Sequence, residues 1–227
     1  MLRLLAGGPG LRRCPAAQRH APANLLDYVA PYPENAGAMI TVQTGPDGPG
    51  PAGISPLLRA LGVGWGIGGI AAVLVYAATS LGRHTVTAIA AGLEPLEWLV
   101  LAVNAAGMAW AEGYRGFQLR FSPRVAARAL VLYENPTPIR LVLAPLFCVG
   151  YFGATPRLQR MVYVGTGLIV LAVLLFNRLD QPWRGILDAG VMVGLLWGTL
   201  SLLWAGWATF RVRRPLVAAE MPAAPGL

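Results

Sequence analysis

The sequence contains no lysine, and among its 227 residues only two are cysteine, two are histidine and 12% are charged. Cys14 and Cys148 lie far apart and belong to no Cys-x-x-Cys or Cys/His cluster, which argues against a disulfide framework and a zinc site. The apolar runs include neither His20 nor His84, so a haem held by two histidines is not indicated either. We therefore expect no metal and no cofactor. A soluble domain carries about 25% charged residues, so the low charge content argues against that class.

Apolar runs take the place of the missing charges. The longest covers residues 60–82, which are 23 uncharged residues, and about 20 are needed to cross the roughly 30 Å hydrocarbon core of a bilayer. Four weaker apolar runs follow it. The pattern predicts an all-α integral membrane helical bundle of four to five transmembrane helices. The expected spans are residues 60–82, 93–114, 141–156, 161–178 and 188–210.

The number of spans depends on the third run, residues 141–156, which is short and contains Pro145. A proline in a short apolar run is typical either of a kinked span or of a re-entrant half-helix that enters the membrane and turns back. A kinked span makes five helices, whereas a half-helix makes four. Both alternatives stay open at this point.

Residues 1–56 differ from the rest of the chain because they are rich in Ala, Gly, Pro and Arg, and they are expected to form a disordered extension. The first 26 residues hold four arginines and no acid, as in an organelle transit peptide, although such peptides are usually Ser-rich and this segment has no serine. The alternative is translation from upstream of the true start in a GC-rich bacterium, with Met39 as the first residue. The expected membrane domain is 57–211, followed by a short tail at 212–227.

Glycines are concentrated in the first span. The stretch Gly64–Gly69 fits the pattern G-x-G-x-x-G, but a dinucleotide site needs that pattern between a strand and a helix, not inside a bilayer-length helix. Glycines four residues apart instead flatten one face of a helix and let a second backbone approach. The expected packing pairs are Gly62 with Gly66 and Gly64 with Gly68.

The second span carries the polar residues Glu97, Asn104 and Glu112, which fall on one side of a helix at 100° per residue. One hypothesis is a proton or cation path, because carboxylates inside a membrane are costly and usually functional. The alternative places both glutamates at the membrane interfaces and has Asn104 hydrogen-bonded across helices. We favour the second alternative because the acids lie at the ends of the run.

Arginines follow this span at positions 115, 120, 124 and 128. Ser122 and Pro123 are typical of a helix start, and the pattern predicts an interfacial amphipathic helix over about 122–134. Arginine forks bind phosphate, and the net charge of +8 suits anionic head groups, so membrane lipids are the expected partner. The acidic surface of a protein partner and a solvated positive loop are alternatives. Nucleic acid is not indicated, because the arginines are scattered between apolar runs. The candidate contact residues are Arg115, Arg120, Arg124 and Arg128.

The stretch EGYRGFQLRFSPRVAARA, residues 112–129, resembles the signature segment of a family of small multispan membrane proteins of cyanobacteria, proteobacteria and plastids. In that family a membrane helix ends in Glu-Gly-Tyr, and Phe-Ser-Pro-Arg-Val starts the next element. The resemblance implies no activity, and it favours a plastid membrane, with a bacterial inner membrane as the alternative. The matching positions are Glu112, Gly113, Tyr114, Phe117, Phe121, Ser122, Pro123, Arg124 and Arg128.

Three functions remain from the sequence. The first is a non-enzymatic scaffold, assembly or accessory subunit of a membrane complex, with protein partners or further copies of the chain in the membrane. The second is a small transporter or channel that uses Glu97, Asn104 and Glu112. The third is a lipid-handling membrane enzyme, placed last because no nucleophile–base pair or metal set accompanies the arginines, and we predict no catalytic residue.

Overall fold

The structure of the protein, a computed structural model, describes residues 54–222. Nearly all of the expected N-terminal extension, with its alternatives of a transit peptide or an upstream start, lies outside the described residues, as do residues 223–227 of the tail. Within the described range every regular element is a helix, which confirms the predicted all-α class.

The regular elements of residues 54–222 are seven α-helices and one π-helix. Their starts follow ordinary capping chemistry: the hydroxyls of Ser55 and Thr155 accept hydrogen bonds from backbone N–H groups three residues on, and a proline follows each cap. The helices are α1 (Pro56–Ala90), α2 (Pro95–Met108), the π-helix (Ala109–Phe121), α3 (Ser122–Glu134), α4 (Pro138–Val142), α5 (Ala144–Val149), α6 (Pro156–Phe176) and α7 (Trp183–Val212).

Three of these helices, α1, α6 and α7, are long and apolar enough to cross a membrane. They contain the predicted spans at 60–82, most of 161–178 and 188–210. The predicted span at 93–114 instead extends over α2 and half of the π-helix. The predicted span at 141–156 is not one continuous helix.

The third apolar run forms two short helices, α4 and α5, separated at Leu143. Leu141 lies beside Gly62, Ala144 beside Gly66 and Pro145 beside Gly69, so this pair of helices runs alongside α1 in the same direction. The chain then turns at Gly150, whose φ of 109° is a left-handed conformation that favours glycine. The third run is therefore a pair of short helices followed by a turn.

The helices α2 and α3 and the π-helix between them form one composite rod, because the junction residues Ala109 and Ser122 both have helical backbone angles. Ser122 was expected to cap the start of a helix, but it lies inside this rod. The wide turn of a π-helix gives room for the ring of Pro123 within a helix. The range of α3 agrees with the expected 122–134, whereas its environment does not, because nine of its residues are buried in the bundle.

The long elements pack side by side. Along α1 and α7 the contacts are Ala88 with Gly185, Gly82 with Met192, and Ile67 with Gly206, which makes these helices antiparallel. The composite rod runs parallel to α7. The core lies where α1, α3, α5 and α7 meet, and its buried residues are Val63, Ile70, Ala71, Val125, Ala129, Leu132, Ala144, Phe147, Cys148 and Leu202.

Candidate functional site

The polar residues of the composite rod meet α7 at two points. Asn104 donates from its amide nitrogen to the carbonyls of Ile186 at 2.8 Å and Leu187 at 3.4 Å. One carboxylate oxygen of Glu112 lies 3.3 Å from the point where a Cβ on Gly194 would stand. Glu97 is apart from both, because its carboxylate accepts from the backbone N–H of Glu94 at 2.9 Å and caps its own helix. The structure therefore places Asn104 and Glu112 on the face that meets α7, and Glu97 in the first turn of α2.

The four candidate packing glycines of α1 divide into two pairs. Gly62 lies against Leu141, and Gly66 lies against Ala144 and Cys148, so this pair faces α4 and α5. Gly64 and Gly68 have no atom of a neighbouring element within 4 Å of an added Cβ among the described residues. The packing face of α1 thus carries the first pair only.

A second series of glycines lies on α7, and its packing role was not predicted from the sequence. Gly190, Gly194 and Gly198 recur every fourth residue, and they receive Asn104, Glu112 and Phe117 of the composite rod respectively. A spacing of four residues between glycines is the sequence signal that predicts such a packing face. These glycines let the rod approach the α7 backbone closely.

The four candidate arginines have different surroundings. Arg115 and Arg120 are exposed, and the guanidinium of Arg115 lies 5.0 Å from the ring centre of Trp110. Arg124 is partly buried, and it donates to the carbonyl of Arg120 at 2.8 Å and to the sulfur of Met161 at 3.6 Å. Three guanidinium groups therefore lie at or near the surface of the rod.

Arg128, in contrast, is buried completely. Its Nε donates to the carbonyl of Phe147 at 2.8 Å, and one terminal nitrogen donates to the carbonyls of Phe152 and Gly153 at 2.9 and 3.0 Å. The other donates to the carbonyl of Ala219 at 3.1 Å and to the sulfur of Met221 at 3.5 Å. With five N–H groups in use, this side chain has none left for a lipid phosphate.

The Arg128 site joins three parts of the chain that lie far apart in sequence. It ties α3 to the end of α5, to the loop after α5 and to the C-terminal tail, where Thr155 N–H also donates to the carbonyl of Glu220 at 2.9 Å. The guanidinium stacks 4.4 Å from the ring centre of Phe147. Burial lowers the pKa of Arg128 to about 10, so the group stays charged at neutral pH and its charge is balanced by carbonyl dipoles.

A polar cluster occupies the opposite end of the bundle. Asp188 of α7 is 2% exposed, and Arg184 lies one turn earlier with its Nε 3.8 Å from the Asp188 carboxylate. The guanidinium of Arg184 also contacts His84 at 3.0 Å and donates to the side-chain oxygen of Asn177 at 2.7 Å. This cluster therefore links the end of α6 to α1 and α7.

Each of these arrangements holds helices together through hydrogen bonds, close glycine contacts or an ion pair. Within residues 54–222 there is no group of three or more His, Cys, Asp or Glu residues placed to hold a metal ion. Comparisons with protein-family models, with curated proteins and with solved structures found no match for this chain.

Proposed function

We propose that this chain is a non-enzymatic assembly or accessory subunit of a membrane complex. The observation that supports the proposal most is the isolation of α6. A helix that packs on its own chain buries one face, but α6 buries only Leu158 over its 21 residues. At 1.5 Å per residue it is about 31 Å long, the thickness of a bilayer core.

The side chains in the middle of the second half of α6 are exposed in every direction. Leu168, Ile169 and Val170 are consecutive and point in three directions, yet each has more than half of its surface exposed. The first half of the helix is tethered to its own chain, because Met161 contacts Arg124 and both Tyr163 and Thr166 hydrogen-bond to Tyr151 in the loop after α5. At the other end the C-cap Asn177 contacts Arg184. The exposed apolar residues 168–175 are thus free to pack against a transmembrane helix of a partner protein.

The transport alternative receives less support from the structure. Asn104 directs its amide hydrogens to α7 carbonyls, and Glu97 caps its own helix. Both side chains therefore have structural roles that need no transported ion. Location in a plastid membrane, or in a bacterial inner membrane, rests on the sequence resemblance.

Extraction in a mild detergent tests the subunit proposal. We expect the tagged chain to co-purify with a fixed partner at a constant ratio, and replacement of Val164, Leu168, Leu171 and Leu175 by alanine to release it, because these residues form one face of α6. The matched control is Val73→Ala with Val86→Ala on α1, where both side chains are 66% exposed. Recovery of the native chain as a monomer would count against a partner, and recovery as a homo-oligomer would identify the partner as a second copy.

A further inference from the structure

An open cleft lies between the end of α3 and the end of α7. It has a volume of about 320 Å³, which is within the range of small-molecule sites. The rings of Tyr133 and Phe210 form part of its wall, with their centres 6.1 Å apart in an edge-to-face arrangement. The lining residues are Leu130, Tyr133, Glu134, Phe210 and Arg213.

A carboxylate and a guanidinium, those of Glu134 and Arg213, lie in the same cleft as the two rings. Glu134 is the last residue of α3, and Arg213 follows the last residue of α7. Arg213 has a φ of 53°, a left-handed conformation that is uncommon for a residue with a side chain, and this turn ends the helix beside the cleft. Within the described range the ion-pair criterion is met only by Arg184 and Asp188, so Glu134 and Arg213 are not paired with each other.

The cleft lies where a membrane surface is expected. The uncharged run of α7 ends at Arg211, whose guanidinium stacks 5.2 Å from the ring centre of Trp207. Trp207 and Val212 are 59% and 63% exposed. An exposed tryptophan and an arginine at the end of a membrane-length helix are typical of the head-group region.

We propose that this cleft binds the head group of a zwitterionic phospholipid. The ammonium group lies against Glu134 and the faces of Tyr133 and Phe210, because cations are attracted to both carboxylates and aromatic rings. The phosphate lies at the guanidinium of Arg213, and the acyl chains follow the exposed apolar surface of α7. An anionic head group without an ammonium has no cation to place at the Glu134 carboxylate. This site therefore fits a different head group from the one expected for the arginines of the composite rod.

Glu134 is an exposed residue, so a ligand can reach its carboxylate. The surrounding protein raises the pKa of the Glu134 carboxyl, which means that the carboxylate is partly withdrawn from water.

Lipid retention by the purified full chain tests the site. Native mass spectrometry in detergent with equal amounts of phosphatidylcholine, phosphatidylethanolamine and phosphatidylglycerol should show that Glu134→Gln lowers retention of the two zwitterionic lipids by about tenfold, the equivalent of one charge-assisted hydrogen bond. Phosphatidylglycerol should be unaffected by that variant. Arg213→Gln should lower retention of all lipids held through this phosphate contact, whereas Arg214→Gln, the exposed neighbour outside the cleft, should not.

Arg213→Gly separates lipid binding from folding. Glycine adopts a φ of 53° without strain, so this variant should keep or raise the unfolding midpoint and still lose the zwitterionic lipids. The proposal is overturned if Glu134→Gln retains phosphatidylcholine like the native chain, or if Arg214→Gln loses as much lipid as Arg213→Gln.

Discussion

Replacement of Arg128 by methionine should lower the free energy of unfolding by about 3–5 kcal/mol, which is the cost of breaking a buried, hydrogen-bonded charged site. The carbonyls of Phe147, Phe152, Gly153 and Ala219 would lose their donor inside the bundle. An unsatisfied buried acceptor costs roughly 1–3 kcal/mol, so the estimate is reached even if some of the four carbonyls relax towards water. Thermal unfolding in detergent measures the loss, and a domain of this size shifts by about 2–4 °C per kcal/mol.

Arg124→Met is the matched control for this variant. Arg124 lies one turn earlier on the same helix, is only partly buried and makes its backbone hydrogen bond within its own rod. We expect its loss to cost about 1 kcal/mol or less. Arg128→Lys should fall between the two, because an ammonium keeps the charge but cannot reach acceptors on three segments. Equal stability of Arg128→Met and Arg124→Met would show that the buried guanidinium does not hold the tail and the loop after α5.

Gly185→Ala should destabilise the protein by about 1–3 kcal/mol, because the added methyl group would overpack the α1–α7 interface. The Cβ would stand 2.6 Å from the carbonyl oxygen of His84 and would also overlap the Cβ of Ala88. Both atoms belong to the rigid part of α1 and cannot rotate away.

Gly64→Ala is expected to have the opposite sign. No atom of another described element lies within 4 Å of its added Cβ, so the variant gains the helix propensity of alanine, about 1 kcal/mol. Reversible unfolding of the two variants beside the native chain measures both changes. Stabilisation by Gly185→Ala would contradict the close approach of α1 and α7.

The helical class and the three membrane-length helices were predictable because each depends on local sequence alone. Uncharged runs bounded by arginine or aspartate mark α1, most of α6 and α7. The third run was harder, because a proline inside it permits either a kink or a chain reversal. Its division into two short helices and the turn at Gly150 go together with contacts on α1, which no local pattern specifies.

Arg128 shows where prediction from the sequence ends. Its spacing from Arg124 indicates one face of a helix, and on that basis both arginines were expected at the lipid surface. The acceptors that enclose Arg128 come from residues 147–153 and 219–221, which are 19 to 93 positions away in the chain. Burial of this charge therefore follows from tertiary packing, not from the helical pattern.

Other features could be predicted from the sequence only in part. The charge pair of Arg184 and Asp188 is visible as a spacing of four residues, whereas its partner His84 is 100 residues away. The packing glycines of α7 have the same four-residue spacing that predicted packing glycines on α1. Their partners on the composite rod could not be assigned without the π-helix, which changes the register of that rod.

Photo-crosslinking in intact membranes shows whether α6 packs against a partner protein instead of against its own bundle. A photoreactive residue placed in turn at Leu168, Ile169, Val170, Leu171 and Leu174 samples every face of the helix. We expect crosslinks to one protein of constant mass from neighbouring positions on one face, and only lipid adducts from the other faces. Crosslinks to α1 or α7 of the same chain, or lipid adducts at every position, would contradict the claim that α6 packs against a partner.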